Sequence, residues 1–168
     1  MNKKGLFYTF RIKGRKRSES GIFIDEGTDW ILIRSLFSDY LIDGYKIINK
    51  NYIVSVSRNE EDIFTEKVLK ANNKDNYSVE KIPLETNSLF NYLKEQQIVF
   101  DISIHLENST YVGKIKKILT HSFYLYLLSP KGEWLDEIDL FKKKSIRLIS
   151  FNTDYIQSLL NYNRTLNS

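Results

Sequence analysis

Cysteine is absent from the 168 residues, which excludes disulfides and thiolate-held metals. Only two histidines occur, His105 and His121. Neither has a carboxylate at ligand spacing, so a histidine metal centre is not expected. No apolar run is long enough to span a bilayer, and the polar, basic start at Met1–Gly5 leads into no signal-sequence stretch. A cytoplasmic protein without a membrane partner is expected. The chain also lacks a glycine-rich phosphate loop, a nucleophile elbow and a paired acid–base set, so it reads as a non-enzyme with no cofactor. Asp136, Glu137 and Asp139 have the oxygen donors that a hard cation takes. They fall, however, at a turn matched by Asp43-Gly44, where an acidic residue has an ordinary structural role.

What the sequence does contain is a duplication, with a shift of about 92 to 93 residues and one single-residue gap. Each copy opens with an alternating strand. Tyr8, Phe10 and Ile12 alternate with Thr9, Arg11 and Lys13; Phe100, Ile102, Ile104 and Leu106 alternate with Asp101, Ser103 and His105. Period two buries one face. A polar hairpin follows, Gly14–Ser20 or Glu107–Thr110, and then a matched glycine, Gly21 or Gly113, which permits tight bending or close backbone approach. The third strand is nearly all apolar in both copies, Trp30–Ile33 and Phe123–Leu128, as suits a strand covered on both sides. Ile47 and Ile48 match Leu140 and Phe141, and Ile53 and Val56 match Ile146 and Ile149.

Each copy ends in a short helical pattern. Ile63, Phe64 and Val68 form an apolar stripe in the first, and Tyr155, Ile156, Leu159 and Leu160 in the second, with each helix expected to plug its own unit. Residues 73–85 read as a linker between a first unit over 1–72 and a second over 86–168. Ala71–Ser78 is polar and asparagine-rich, while Thr86–Gln97 has helical spacing at Leu89, Phe90 and Leu93. Charge is mixed in sign. The net value is +4, but Lys13, Arg15, Lys16 and Arg17 crowd the first hairpin, Lys114, Lys116 and Lys117 the second copy, and Lys142, Lys143 and Lys144 the turn before its last strand.

The run Leu89–Leu128, with a short helix, an alternating strand, a polar hairpin, a glycine and a long apolar strand, resembles the Sm and Sm-like proteins. Ser145-Ile146-Arg147-Leu148-Ile149 is similar to that family's second motif. The resemblance covers both copies and is shared with other SH3-like barrels. It implies a mostly β chain of two tandem five-stranded antiparallel barrels, each with a short helix, and with it RNA binding and ring assembly. The family's base-holding asparagine has no counterpart in Asp25–Trp30 or Leu119–Phe123, and Leu148 follows Arg147 where the family has glycine. Two functional expectations follow. One is RNA or single-stranded nucleic acid bound through Lys13, Arg15, Lys16, Arg17, Lys114 and Lys116, with Tyr124 and Tyr126 as stacking candidates. The other is a protein partner, in an adaptor or immunity-type role, with self-assembly open in either case.

Overall fold

The computed structural model describes residues 2–78, 81–105 and 110–166. The first half comprises β1 (Phe7–Ile12), β2 (Glu19–Glu26), β3 (Trp30–Ser38), β4 (Leu41–Asn49), β5 (Ile53–Ser57) and α1 (Glu60–Ala71). The second comprises α2 (Thr86–Glu95), β6 (Phe100–Ser103), β7 (Thr110–Ile118), β8 (Ser122–Leu128), β9 (Trp134–Lys142), β10 (Leu148–Phe151) and α3 (Asp154–Leu166). A 3₁₀ turn precedes the last strand of each half, at Lys50–Tyr52 and Lys143–Ser145. The hairpin expected at Glu107–Thr110 lies outside the described residues except for Thr110, as does Leu106.

The chain is mostly β, and its ten strands form one open sheet in the order β5-β1-β2-β3-β4-β10-β6-β7-β8-β9, with every neighbouring pair antiparallel. This corrects the expectation of two separate five-stranded barrels. Each half keeps the order fifth, first, second, third, fourth, but the fourth strand of the first half is hydrogen-bonded to the fifth of the second. The reason lies in the strands that meet. Ile47, Ile48, Leu148 and Ile149 are at most 2% exposed, so both faces of this seam are covered.

Directly opposed residues share a face of the sheet. Ile48 and Leu148 belong with Phe10, Phe23, Ile31 and Ile33 in the core of the first half. Ile47 and Ile149, on the other face, belong with Phe90, Phe100, Ile102 and Phe123 in the core of the second. The hydrophobic core therefore changes sides at the junction.

The helices complete this arrangement. Glu85 caps α2, its carboxylate accepting from the Asn87 and Ser88 N–H groups. Leu89, Phe90 and Leu93 then point into the second core. The same helix is tied to the first half, because Asp29 Oδ2 accepts from Thr86 N and Oγ1 at 2.7 and 2.6 Å. Within the expected linker, Ile82 and Leu84 are buried, and the Leu84 carbonyl accepts from the Asp29 and Trp30 N–H groups. The closing helices do not plug their own cores. Leu69 of α1 packs on Phe7 and Ile22, and Ile156 of α3 on Val112 and Leu128, in clusters apart from the two cores. Phe64, expected in the apolar stripe of α1, is 58% exposed. Asp62 and Glu66 take the buried face instead, serving an Asn59 capping box and the Phe7 N–H.

Candidate nucleic-acid interface

β7 carries Lys114, Lys116 and Lys117 around a bulge. Lys114 pairs with Tyr126 of β8, Ile115 with the buried Leu125, and the register then slips so that Lys117 pairs with Tyr124. The extra residue lets the strand keep Ile115 in the core while presenting its lysines to the opposite face. β9 continues that face, Ile138 opposite Tyr126 and Leu140 opposite Tyr124. Tyr126 stacks on Trp134 with ring centroids 5.0 Å apart and an interplanar angle of 11°. Lys114 Nζ lies 5.1 Å from the Trp134 centroid and Lys116 Nζ 5.8 Å from that of Tyr126. Cations and rings thus interleave on one face, which α3 covers at its Val112–Leu128 end, where the partly buried Trp134 packs against that cluster.

The corresponding position in the first half is built differently. Ile22 stands where the repeat places Lys114, and it is buried beside Phe7 and Leu69 under α1. Trp134 itself carried no signal in the sequence, because the repeat aligns it with Leu41 rather than with another aromatic residue.

The hairpin lysines and arginines lie elsewhere. Lys13, Lys16 and Arg17 are exposed, and the Lys13 carbonyl accepts from Arg147 Nη1 at 2.6 Å. Arg15 is turned inward between the halves, where it meets Glu19 at 3.2 Å and donates to Ser103 Oγ at 2.6 Å. Glu19 also pairs with Lys46. Asp101 completes this polar seam: burial pushes its carboxyl up to about 6, against the pull of Lys46, Ser150 and Arg15, with Glu19 adding to the rise. The structure therefore brings Lys114 and Lys116 together with Tyr126, and places Arg15 in the joint between the halves.

The third lysine group borders a cleft of about 650 Å³ that includes residues of both 3₁₀ turns, with Asn49 and Asn51 facing Lys142, Lys143 and Lys144. Lys143 is spent on structure there. It is 5% exposed, and its Nζ donates to Asn87 Oδ1 and to the Thr120 carbonyl at 3.0 and 3.1 Å. His121 lines the same cleft, whereas His105 lies 3.4 Å from Arg147. Among the described residues no three His, Asp or Glu side chains are grouped to hold a metal ion, and no helix is long and apolar enough to cross a membrane. Comparison with known proteins gives no match to this chain, whether among family models, curated proteins or solved structures.

Proposed function

We propose that this chain is a non-catalytic binding protein for single-stranded nucleic acid, built from two Sm-like or SH3-like units fused along a common sheet. The shared strand order of the two halves supports the architectural part. One observation carries the functional part: on the outer face of β7–β9, three lysines alternate with Tyr124, Tyr126 and Trp134, where the first half has a buried isoleucine. Lysines release counterions from a phosphate backbone, and partly exposed rings give bases a stacking surface that tolerates any sequence.

The test uses Trp134 as its reporter. Trp30 is 1% exposed, so a Trp30→Phe chain leaves only the Trp134 signal. Titration with oligouridylate or oligothymidylate should quench it, with an affinity that falls as salt rises. No quenching and no anisotropy change of a labelled oligonucleotide at low salt would sink the proposal.

A second reading, a protein partner, is favoured by the tip of the β3–β4 hairpin. Phe37 and Leu41 are 71% and 53% exposed there, and Tyr40 packs edge-on against the exposed Phe64 beside Glu60 and Glu61. A partner with a basic and apolar surface fits this patch. Its capture would be lost in Phe37→Ser with Phe64→Ser.

A further inference from the structure

At the tip of the β3–β4 hairpin the chain reverses through Asp39 and Tyr40, with Ser38 opposite Leu41. The Tyr40 carbonyl accepts from Lys74 Nζ at 3.0 Å, which ties the tip to the residues that follow α1. Between the tip and the first two turns of α1 lies an open notch lined by Asp39, Tyr40, Glu60, Glu61, Phe64 and Thr65. Two rings and three carboxylates thus border one space. The rings meet edge-on, their centroids 6.5 Å apart at 70°, and remain 38% and 58% exposed. None of the three carboxylates is ion-paired with another described residue, and the nearby Lys70 is taken by Glu66. The shared fold does not require this set. Carried through the internal repeat, Glu133 stands for Tyr40, Thr153 for Glu60 and Gln157 for Phe64, and Asp154 alone keeps the charge of Glu61. There α3 closes on the hairpin turn directly, Asn163 Nδ2 donating to the Gly132 carbonyl at 2.7 Å.

We propose that this notch takes the guanidinium of an arginine side chain presented by a partner protein, stacked against the Tyr40 and Phe64 rings and paired with the carboxylates. The site is the one in the protein-partner reading, on which this assignment rests, and it is separate from the nucleic-acid face of the second half. Glu60 and Glu61 also offset the positive end of α1. The helix cap, however, is already complete in Asn59 and Asp62, and helix stability gives no reason for exposed rings beside it. A metal ion does not fit, since no three acidic side chains among the described residues are grouped to hold one. Ring faces attract a cation, and spaced carboxylates suit a broad one with several donors. Guanidinium is planar, weakly hydrated and able to stack while it pairs with carboxylates, whereas the ammonium of lysine is compact and strongly hydrated. Arginine is therefore preferred over lysine.

The test titrates the isotopically labelled full chain with three short peptides, Gly-Arg-Gly-Arg-Gly and its lysine and leucine counterparts, followed by amide chemical shifts. The arginine peptide should move the amides of Asp39, Tyr40 and the first two turns of α1, more strongly than the lysine peptide does, and the effect should fall as salt rises. Phe64→Gln, which gives α1 the residue its counterpart carries, should weaken the arginine peptide about 2- to 5-fold, the worth of an exposed cation–ring contact. Glu60→Gln with Glu61→Gln should remove most of the salt dependence. The same spectra show that each variant keeps its fold. Equal binding of the arginine and lysine peptides, untouched by Phe64→Gln, reduces the site to diffuse negative charge and overturns the assignment. Shifts at the notch from the leucine peptide alone overturn it too, but leave a protein partner at this patch. No shift there with any of the three at millimolar concentration sinks both.

Discussion

Ile47 of β4 lies directly opposite Ile149 of β10 across the middle of the sheet, and neither has any exposed surface. Through this pair the first half contributes side chains to the core of the second, so the halves should unfold together. Ile149→Ala is expected to cost about 2–4 kcal/mol, the range for truncating a fully buried isoleucine. Trp30, packed on Phe90 of α2, reports on the contact between the halves, and Trp134 on the outer face of the second. Denaturation curves of Trp134→Phe and Trp30→Phe chains, each followed by its remaining tryptophan, should superimpose once corrected for the stability of each variant. Resolved transitions that differ between the two probes would show independent halves.

Gly21 and Gly113 occupy matched places, and both need the missing side chain for the same reason. A Cβ on Gly21 would run into the Arg34 carbonyl oxygen on β3, and one on Gly113 into the Tyr126 carbonyl oxygen on β8. Backbone cannot yield as a side-chain tip can. Gly21→Ala and Gly113→Ala should each destabilise by about 3 kcal/mol or more, near the upper end for single substitutions. Gly5→Ala meets nothing within 4 Å and bears only the strain of its positive φ, about 1–2 kcal/mol. Urea midpoints of the three variants rank these costs.

Those glycines also show what was legible in the sequence. Alternation at Tyr8–Ile12, the apolar third strands and the matched glycines all depend on neighbours close in the chain or on the repeat, and they led to a mostly β chain with duplicated halves. The junction of β4 with β10 joins residues about a hundred positions apart. Ile47 and Ile149 look the same in sequence whether they face one core or sit between two. The charged residues misled for a related reason: Arg15 belongs to a basic run, but besides its near neighbour Glu19 it bonds Ser103, which comes into reach only when the halves meet. Lys114 and Lys116 were visible as charges, whereas their relation to Trp134 required the register of β7, β8 and β9.

Two carboxylates, the half-buried Asp101 and the buried Glu66, should bend the pH dependence of stability in opposite directions. Asp101 is pushed up from 3.8 to about 6, so the folded chain binds its proton more tightly than the unfolded chain does. Its ionisation weakens the fold above about 6, and the penalty fades as pH falls toward 3.8. Asp101→Asn should therefore gain on the order of 1–3 kcal/mol at pH 7.5 and nothing near pH 4. For Glu66, burial acts to raise the pKa, but Lys70, the Phe7 N–H and Arg58 together hold it below the usual range. Its contribution is present above the unfolded value of about 4.5 and is lost as pH falls through the lowered one. Glu66→Gln should cost stability at pH 7 and progressively less in acid. Chemical denaturation from about pH 3 to about pH 8 separates the two signs.

The lysines of β7 should control the salt dependence of nucleic-acid binding, and the neighbouring rings its salt-independent part. Each lysine that no longer neutralises a phosphate of a single strand lowers the slope of log affinity against log salt by roughly 0.7. Replacing Lys114, Lys116 and Lys117 with alanine is thus expected to flatten the slope by roughly 2. Trp134→Ala removes a stacking surface worth about 1–3 kcal/mol per base and should weaken binding equally at every salt concentration, with Trp30 emission confirming the fold. Arg15→Ala should do neither. It strips Glu19 and Ser103 of a partner in the joint between the halves, so its effect belongs in the melting curve, with the salt slope unchanged. If instead Arg15→Ala flattens the slope and the β7 triple variant leaves it intact, the binding face lies on the hairpin and the assignment to β7–β9 fails.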